Sequence, residues 1–524
     1  NSGMLSHTIT GIGDGDVFDN STALNASLVT DDQRAGLYIF GQNRHRSAYD
    51  HDGDGYSEIP KLHGQTIGFR SFLKTTTYSK LTFEYHHMEE FRRGGDLLNR
   101  PPHEANVAEQ TEHSINGGGL KFDYFSPNEN HRFNVFASAQ HINRDSYYGP
   151  GDRDPLDAYG NTTDLNWMAG SQYVYSFGKC IFMPSDLTAG IEFNQDKLED
   201  NMWGYNRTVD QKVNIGSAFL QNEWKNDHWG FLIGGRLDKH NLIDHVIFSP
   251  RANLRYNPTE NINLRFSYSS GFRAPQAFDE DLHVENVGGN VAMVELADNL
   301  KEERSQSLSA SADIYHRFGA FQVNFLVEGF YTKLSDVFAL TDGEVVDGIL
   351  TRTRHNASGA QVLGLTLEGK MAYLNKIQVQ AGVTLQQSHY SKPHIWNKEA
   401  PAVKKMMRTP NTYGYFTATY TPIKPLSIAL SGTYTGSMLV PHEPVPGFLE
   451  NPITVNTKDF FDIGLKAAYD FKLYKSMNLQ LNAGIQNIFN AYQNDFDKGA
   501  DRDSGYIYGP SLPRSFFAGV KISY

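Results

Sequence analysis

Apolar and polar residues alternate with a period of two along much of the chain. In the last ten residues, one face of such a segment would carry Phe516, Ala518, Val520, Ile522 and Tyr524. The other face would carry Ser515, Phe517, Gly519, Lys521 and Ser523. The same alternation occurs over residues 477–486 and 261–268. Because successive side chains of a β-strand point to opposite faces, these segments are predicted to be strands with one apolar and one polar face.

Short turns alternate with long connections between the predicted strands. The short turns contain Pro, Asn and Asp, which favour tight turns because Pro presets φ and Asn and Asp hydrogen-bond to their own backbone. They lie at residues 30–33, 126–130, 225–227, 257–260 and 421–424. The long connections lie near residues 46–62, 94–110, 145–164, 276–300 and 388–410. This arrangement is typical of an outer-membrane β-barrel whose long loops lie outside the cell.

The alternating segments predict 22 strands, which would form one all-β, 22-stranded antiparallel transmembrane β-barrel over residues 1–524. The strands begin near Leu5, Thr22, Gly36, His63, Lys80, Thr111, Arg132, Leu165, Asp186, Val209, Trp229, Val246, Asn261, Glu303, Phe321, Thr351, Lys376, Asn411, Pro425, Val455, Met477 and Pro513. An even strand count places both termini on the periplasmic side. The alternative, a soluble array of β-sandwiches, would need linkers, a shift in composition or internal repeats, and the sequence shows none of these.

The composition agrees with a barrel and argues against other classes. Mean hydropathy is −0.48, and no apolar run reaches the roughly 18 residues that indicate a transmembrane helix. A membrane strand shows only every second residue to lipid, so its average hydropathy is low. Aromatic residues make up 13% of the chain, which suits interfacial girdles and ordinary all-β proteins alike. The net charge of −12 argues against nucleic-acid binding, and the single Cys180 excludes an internal disulfide framework.

Several short segments resemble the barrel of TonB-dependent receptors. Residues 248–256 and 271–275 resemble its core signature. Residues 299–305 resemble a second family segment, in which Glu302 replaces the usual proline, and residues 485–490 resemble the family's penultimate strand. The closing strand with its terminal Tyr524 looks like the signal read by the barrel-assembly machinery. The whole chain thus resembles the barrel of these outer-membrane receptors, in the style of the Bacteroidota.

The resemblance implies a function in transport. Such a receptor imports a scarce metal-containing nutrient, here expected to be a ferric siderophore or haem, with energy from the TonB–ExbB–ExbD complex. The alternatives are uptake of a corrinoid such as vitamin B12 and, in a different class, a passive porin or adhesin. No nucleophile–base pairing is legible, so no enzymatic activity is expected. Outer-membrane lipids and a surface lipoprotein are further expected partners.

A plug domain precedes the barrel in the family that the chain resembles, and it carries the TonB box and part of the ligand site. This chain begins directly with a predicted barrel strand. We therefore expect the plug to have been cleaved or to be absent from this chain. The residues that couple to TonB would then lie outside it.

Residues 50–58 contain the sharpest local motif. Three aspartates alternate like the first, third and fifth ligands of a calcium-binding loop, and Gly55 permits the sharp turn at the sixth position. The twelfth position is Lys61, which cannot supply the usual bidentate carboxylate. A solvated acidic turn is the alternative. The predicted structural Ca²⁺ site consists of Asp50, Asp52, Asp54, the Tyr56 carbonyl and Glu58.

Residues near two predicted strand ends are candidates for ligand binding. Arg92 and Arg93 would grip carboxylates, catecholates or phosphates, or would instead face lipopolysaccharide or acids of the lumen. Arg273 precedes a loop that contains Asp279, Asp281 and His283. Haem receptors of the resembled family carry a histidine after a similar segment, so His283 is a candidate axial haem ligand. The alternative is a loop histidine beside acids, with Arg273 joining the strand end to the loop.

Overall fold

The computed structural model describes residues 1–13, 15, 17–150, 155–287 and 290–524. Its 22 long strands form one antiparallel barrel, which confirms the predicted fold class. The barrel strands are β1 (Ser2–Ile12), β2 (Val17–Val29), β3 (Ala35–Arg46), β4 (Lys61–Thr76), β5 (Ser79–Gly95), β6 (Val107–Phe125), β7 (His131–Pro150), β8 (Tyr159–Cys180), β9 (Met183–Met202), β10 (Arg207–Lys225), β11 (Trp229–His240), β12 (Ile247–Thr259), β13 (Ile262–Arg273), β16 (Glu303–Phe318), β17 (Phe321–Ser335), β20 (Ala360–Tyr373), β21 (Ile377–His394), β23 (Thr412–Ile423), β24 (Leu426–Thr435), β27 (Phe460–Tyr474), β28 (Met477–Gln486) and β29 (Ser515–Ser523).

The loops contain shorter elements of their own. The helical ones are α1 (Asp279–Leu282) and the 3₁₀ turns Pro102–Glu104, Pro155–Ala158 and Trp203–Tyr205. The extended ones are β14 (Glu285–Val287), β15 (Asn290–Leu296), β18 (Phe338–Val346), β19 (Ile349–Asn356), β22 (Val403–Lys405), β25 (Leu439–His442) and β26 (Ile453–Asn456). Over the described ranges, no helix has the length and apolar character needed to cross a membrane.

The first and last strands pair with each other and close the barrel. β1 and β29 are antiparallel, in register from Met4 opposite Ser523 to Ile12 opposite Ser515. The Tyr524 N–H donates to the Gly3 carbonyl at 2.9 Å, and the Gly3 N–H donates back at 3.0 Å. A closed ladder leaves neither strand with an unpaired edge. Unpaired backbone groups at such an edge would be costly within the membrane.

The two faces of each strand differ as the alternation predicts. In the ladder of β1 and β29, Leu5 lies opposite Ile522 and both are exposed on the outer, apolar face. Ser6 lies opposite Lys521 on the other face. The same rule gives β16 a lumen face of serines at positions 305, 307, 309 and 311. The outside is thus apolar and the lumen wall is polar.

Two predicted strand starts were wrong, and both errors arose in the loops. The strand expected from Thr351 is the loop strand β19, and the barrel strand β20 starts at Ala360. The strand expected from Val455 is the loop strand β26, and the barrel strand β27 starts at Phe460. Loop strands carry the same period-two pattern as barrel strands, so the pattern alone does not separate them.

Long loops meet over one end of the barrel, which we call the mouth. There β14, β15, β19 and β18 form a four-stranded sheet, here called the roof sheet. Its central pair, β15 and β19, is parallel and joins two loops that are separate in sequence. Clusters of buried apolar residues lie at this end, one of them around Tyr147, Met202 and Val291. The buried core of the protein therefore supports the mouth.

Aromatic rings contact glycines of the neighbouring strand on the lumen wall. A Cβ added to Gly364 would lie 2.3 Å from the Phe330 ring and 3.0 Å from the Leu385 carbonyl oxygen. Phe330 and Gly364 are direct cross-strand partners. The same pairing joins Phe40 to Gly68, Phe136 to Gly170, Phe219 to Gly190 and Phe517 to Gly484. Glycine at these positions lets the ring cover the backbone of the adjacent strand.

Candidate functional site at the barrel mouth

Three cavities lie side by side at the mouth. The first, of about 260 Å³, is bounded by residues from loops that are distant in sequence, including Tyr56, Arg92, Glu109, Tyr148 and Arg502. The other two, of about 310 and 630 Å³, share Arg273, Glu280 and His283 in their lining. Glu285 lines all three. A concave space with polar groups from several elements is the usual form of a ligand-binding site.

The short helix α1 positions the acids that follow Arg273. Asp281 is buried, and its Oδ2 accepts the Phe278 N–H at 2.8 Å, which holds the turn in place. Burial raises the pKa of Asp281, and the guanidinium of Arg354 forms an ion pair with this carboxylate. Asp281 therefore supports the loop from inside, and its side chain does not face the cavities.

Glu280 connects the end of β13 to the roof sheet. Arg273 Nη2 lies 2.5 Å and Arg354 Nη1 lies 3.0 Å from Glu280 Oε1. Burial alone would raise the pKa of Glu280, but hydrogen bonds and charges from Arg273 and Arg354 outweigh it and lower the pKa. The Arg273 guanidinium also stacks on Phe278, 4.0 Å from the ring centroid. Arg273 thus contacts the loop that follows its strand through both Glu280 and Phe278.

Asp279 and His283 both face the cavities. Asp279 Oδ1 lies 2.9 Å from Arg144 Nη1, and its side chain is 91% exposed. The His283 ring meets the Tyr148 ring edge-on at 5.4 Å, and His283 Nδ1 lies 3.8 Å from Glu109 Oε1. The structure therefore brings Arg273, Asp279 and His283 together around one space.

Arg92 and Arg93 point to opposite sides of β5, as consecutive strand residues must. Arg92 lines the first cavity, and its Nε donates to Glu90 Oε1 at 2.6 Å. Arg93 is 2% exposed; its Nη2 donates to the Asp96 carbonyl at 3.2 Å, while Nε and Nη1 have no hydrogen-bond partner among the residues that the structure describes. Only Arg92 of this pair can meet a ligand at the mouth.

The acidic motif at residues 50–58 folds as a compact loop. Carboxylate oxygens of Asp50, Asp52 and Glu58 lie within 4.8 Å of one another. Asp50 also accepts the N–H groups of Gly53 and Gly55, at 2.7 and 2.8 Å. The three carboxylates are close enough to share one cation.

Arg502 from the last long loop occupies the other side of this motif. Its Nη1 lies 3.0 Å from Glu58 Oε1, and its Nη2 forms an ion pair with Asp54. Its guanidinium also lies over the Tyr56 ring, 4.8 Å from the centroid. Burial would raise the pKa of Asp54, but N–H groups of Gly499 and Tyr56 together with Arg502 lower it. The first and last long loops are therefore tied together by charge.

The comparison with known families decides what this barrel is. The model described as TonB dependent receptor-like, beta-barrel, matches residues 7–488. The chain belongs to this family. No curated protein matches the sequence. As a receptor barrel of this family, the chain lies in the outer membrane.

Solved receptors share the fold at low sequence identity. The siderophore receptor PirA from Acinetobacter baumannii has a TM-score of 0.76 at 14% identity, covering 100% of this chain and 80% of that one. A mutant of the ferric enterobactin receptor PfeA from Pseudomonas aeruginosa has a TM-score of 0.76 at 14% identity, covering 100% of this chain and 80% of that one. The ferric-catecholate import receptor Fiu from E. coli K12 has a TM-score of 0.72 at 13% identity, covering 100% of this chain and 82% of that one. At such identities the likeness establishes the barrel architecture alone.

The sequence patterns did not predict several residues that shape the mouth of this receptor. Arg352 and Arg354 lie on β19, a segment predicted to be barrel wall. Arg352 pairs with Glu285 at 2.8 Å and with Glu443 at 3.2 Å, which links the roof sheet to a third loop. His442 Nε2 lies 2.9 Å from Asp497 Oδ2 and joins that loop to the last one. No local pattern marks such pairs, because their members are distant in sequence.

Proposed function

We propose that this receptor imports a ferric siderophore across the outer membrane, with its long loops extracellular and both termini periplasmic. The observation that carries the proposal is the group of open cavities at the mouth, bordered by loops and the roof sheet. The structurally similar receptors PirA, PfeA and Fiu carry siderophore, ferric enterobactin and ferric-catecholate in their names. These names support iron over a corrinoid as the metal-containing cargo.

Transport through this barrel requires a plug and an energy source. Wall side chains do not fill the lumen of a barrel with 22 strands, so a plug domain must close it. In this proposal the TonB–ExbB–ExbD complex pulls on that plug after cargo has bound at the mouth. The polar lumen wall, such as the serine row of β16, would then offer hydrogen bonds to the plug and to the passing chelate.

Uptake of radioactive iron by cells that lack their other iron receptors tests the proposal. Cells that produce the complete receptor should accumulate iron from a ferric siderophore only when TonB is present. Purified receptor should bind the same chelate whether or not TonB is available. Uptake that continues without TonB would indicate a passive pore. If the receptor took up haem and the His283→Ala variant did not, the haem alternative would be favoured.

A further inference from the structure

Ion pairs at the mouth expose their two partners unequally. The side chain of Arg144 is 7% exposed, whereas that of its partner Asp279 is 91% exposed. Arg354 is also 7% exposed, whereas Glu280 is 56% exposed. Arg352 and Glu285 show the same order, at 13% and 38%. In these three pairs the carboxylate is the more exposed partner, although Arg352 and Arg354 also line the second cavity.

The remaining arginines of the cavity linings have their charge compensated locally. Arg502 lies between Asp54 and Glu58. The more exposed Arg92 donates to Glu90. Arg273 pairs with Glu280 and stacks between Phe278 and Phe338. Across the part of the chain that the structure describes, every arginine lining these cavities therefore has a carboxylate partner.

Carboxyl groups outnumber arginines by five to two in the lining of the first cavity and by three to one in that of the third, which gives these two cavities a negative surface. The second cavity is lined by three arginines and two glutamates. The lowered pKa of Glu280 keeps this group ionised at neutral pH. Glu109 adds another carboxylate, half exposed, which lies 3.8 Å from His283 Nδ1. The chain as a whole carries a net charge of −12, which reinforces the local potential. An anionic ligand would be repelled here, and an uncharged or cationic ligand would not.

We infer that the cargo is a ferric chelate without net negative charge, such as an iron(III) tris-hydroxamate. Three singly charged hydroxamates neutralise iron(III), whereas three doubly charged catecholates leave a trianion. Tyr56, Tyr148, Phe496 and Tyr506 line the first cavity and supply the apolar contact that an uncharged chelate needs. The inference rests on the proposed import of a ferric chelate and narrows its chemical class.

Binding of three ferric chelates to the complete purified receptor tests the inference. The probes are an uncharged iron(III) tris-hydroxamate, a cationic one with a free amine, and an iron(III) tris-catecholate trianion. Fluorescence quenching should give the tightest binding for one of the two hydroxamates. Binding of the cationic chelate should weaken as salt is added, because screening removes the attraction.

Charge reversal at the mouth should change this order. In the double variant Glu109→Lys and Asp279→Lys, the cationic chelate should bind about tenfold more weakly and the trianion about tenfold more tightly. Asp31 lies exposed in the short turn after β2, away from the mouth, so Asp31→Lys is the matched control and should change neither. Asp279→Lys removes one carboxylate partner of Arg144, which keeps Asp200 at 3.6 Å.

The outcomes separate the inference from the proposed function. Tightest binding of the trianion by the unaltered receptor would overturn the inference while import of a ferric chelate stands. An unchanged order of affinities in the double variant would also overturn it. Failure of all three chelates to bind would overturn the proposed function and the inference together.

Discussion

Two basic residues of the last long loop compete with a metal ion for the carboxylates of the acidic motif, and one of them, Lys498, lies 3.3 Å from Asp52. Arg502 pairs with Asp54 and Glu58, two of the five predicted calcium ligands. Asp50, Asp52 and Glu58 still bring oxygens within 4.8 Å of one another. The motif therefore retains three clustered carboxylates, with a guanidinium where further ligands of a complete site would lie. The calcium site stays a prediction.

We expect Ca²⁺ to bind weakly to the motif and more tightly once Arg502 is removed. Sites in extracellular modules have a Kd of about 10⁻⁴–10⁻³ M, and an incomplete loop should fall in that range. The Arg502→Gln variant frees two carboxylates, so its affinity should rise about tenfold. Calorimetric titration of the purified receptor measures both values. Tryptic cleavage after Arg46 or Lys61, the two sites that flank the motif, should slow as calcium is added.

Two further variants make the calcium result interpretable. Arg100→Gln removes an arginine from another long loop and should leave calcium binding unchanged. Asp52→Asn, added to Arg502→Gln, should abolish the gain, because it removes one of the clustered ligands. If neither the unaltered receptor nor Arg502→Gln released or absorbed heat with calcium, the motif would be an acidic turn held by Arg502 and Lys498.

At the scale of elements, the contact between an aromatic ring and a glycine on the adjacent strand stabilises the wall. Gly364 and Gly369 both lie on β20, but only Gly364 has a ring over it. Replacing Gly364 with alanine would place Cβ 2.3 Å from the Phe330 ring, so the ring must move. We expect a loss of about 1–3 kcal/mol in the free energy of unfolding, as for other overpacked sites.

The matched substitution on the same strand is Gly369→Ala. No atom lies within 4 Å of a Cβ built there, so this change should be neutral or slightly stabilising. Urea unfolding in detergent, followed by the mobility shift on unheated gels, compares the two variants. Equal stability of Gly364→Ala and Gly369→Ala would show that the ring contact contributes nothing.

Elements of the wall could be predicted, whereas elements of the roof could not. Wall strands follow directly from period-two patterning and from turns such as that at residues 30–33, where Thr30 Oγ1 donates to Asp32 at 2.6 Å. The roof strand β19 has the same pattern, but it pairs in parallel with β15 of another loop. Nothing in a single strand indicates a partner about 60 residues away, since a parallel pair needs no adjoining turn.

At the scale of the whole molecule, closure was predictable and the mouth was not. An even number of alternating strands implies a ladder between the first and last, and β1 and β29 form it. The mouth depends on ion pairs such as that of Arg502 with Asp54, which are 448 residues apart. The sequence identified Asp54 by its local spacing, but Arg502 has no motif around it. Proximity of such residues is a consequence of closing the barrel.

Closure also makes the last strand the element on which assembly should depend most. β29 pairs with β28 on one side and with β1 on the other, so its loss leaves two unpaired edges within the bilayer. Deletion of residues 515–524 should therefore prevent formation of the compact, heat-modifiable barrel in outer-membrane fractions. Tyr524→Ala keeps the backbone pair with Gly3 and should slow assembly without preventing it. A folded, membrane-inserted product from the deletion would mean that β28 and β1 can pair directly, and the ladder would not depend on β29.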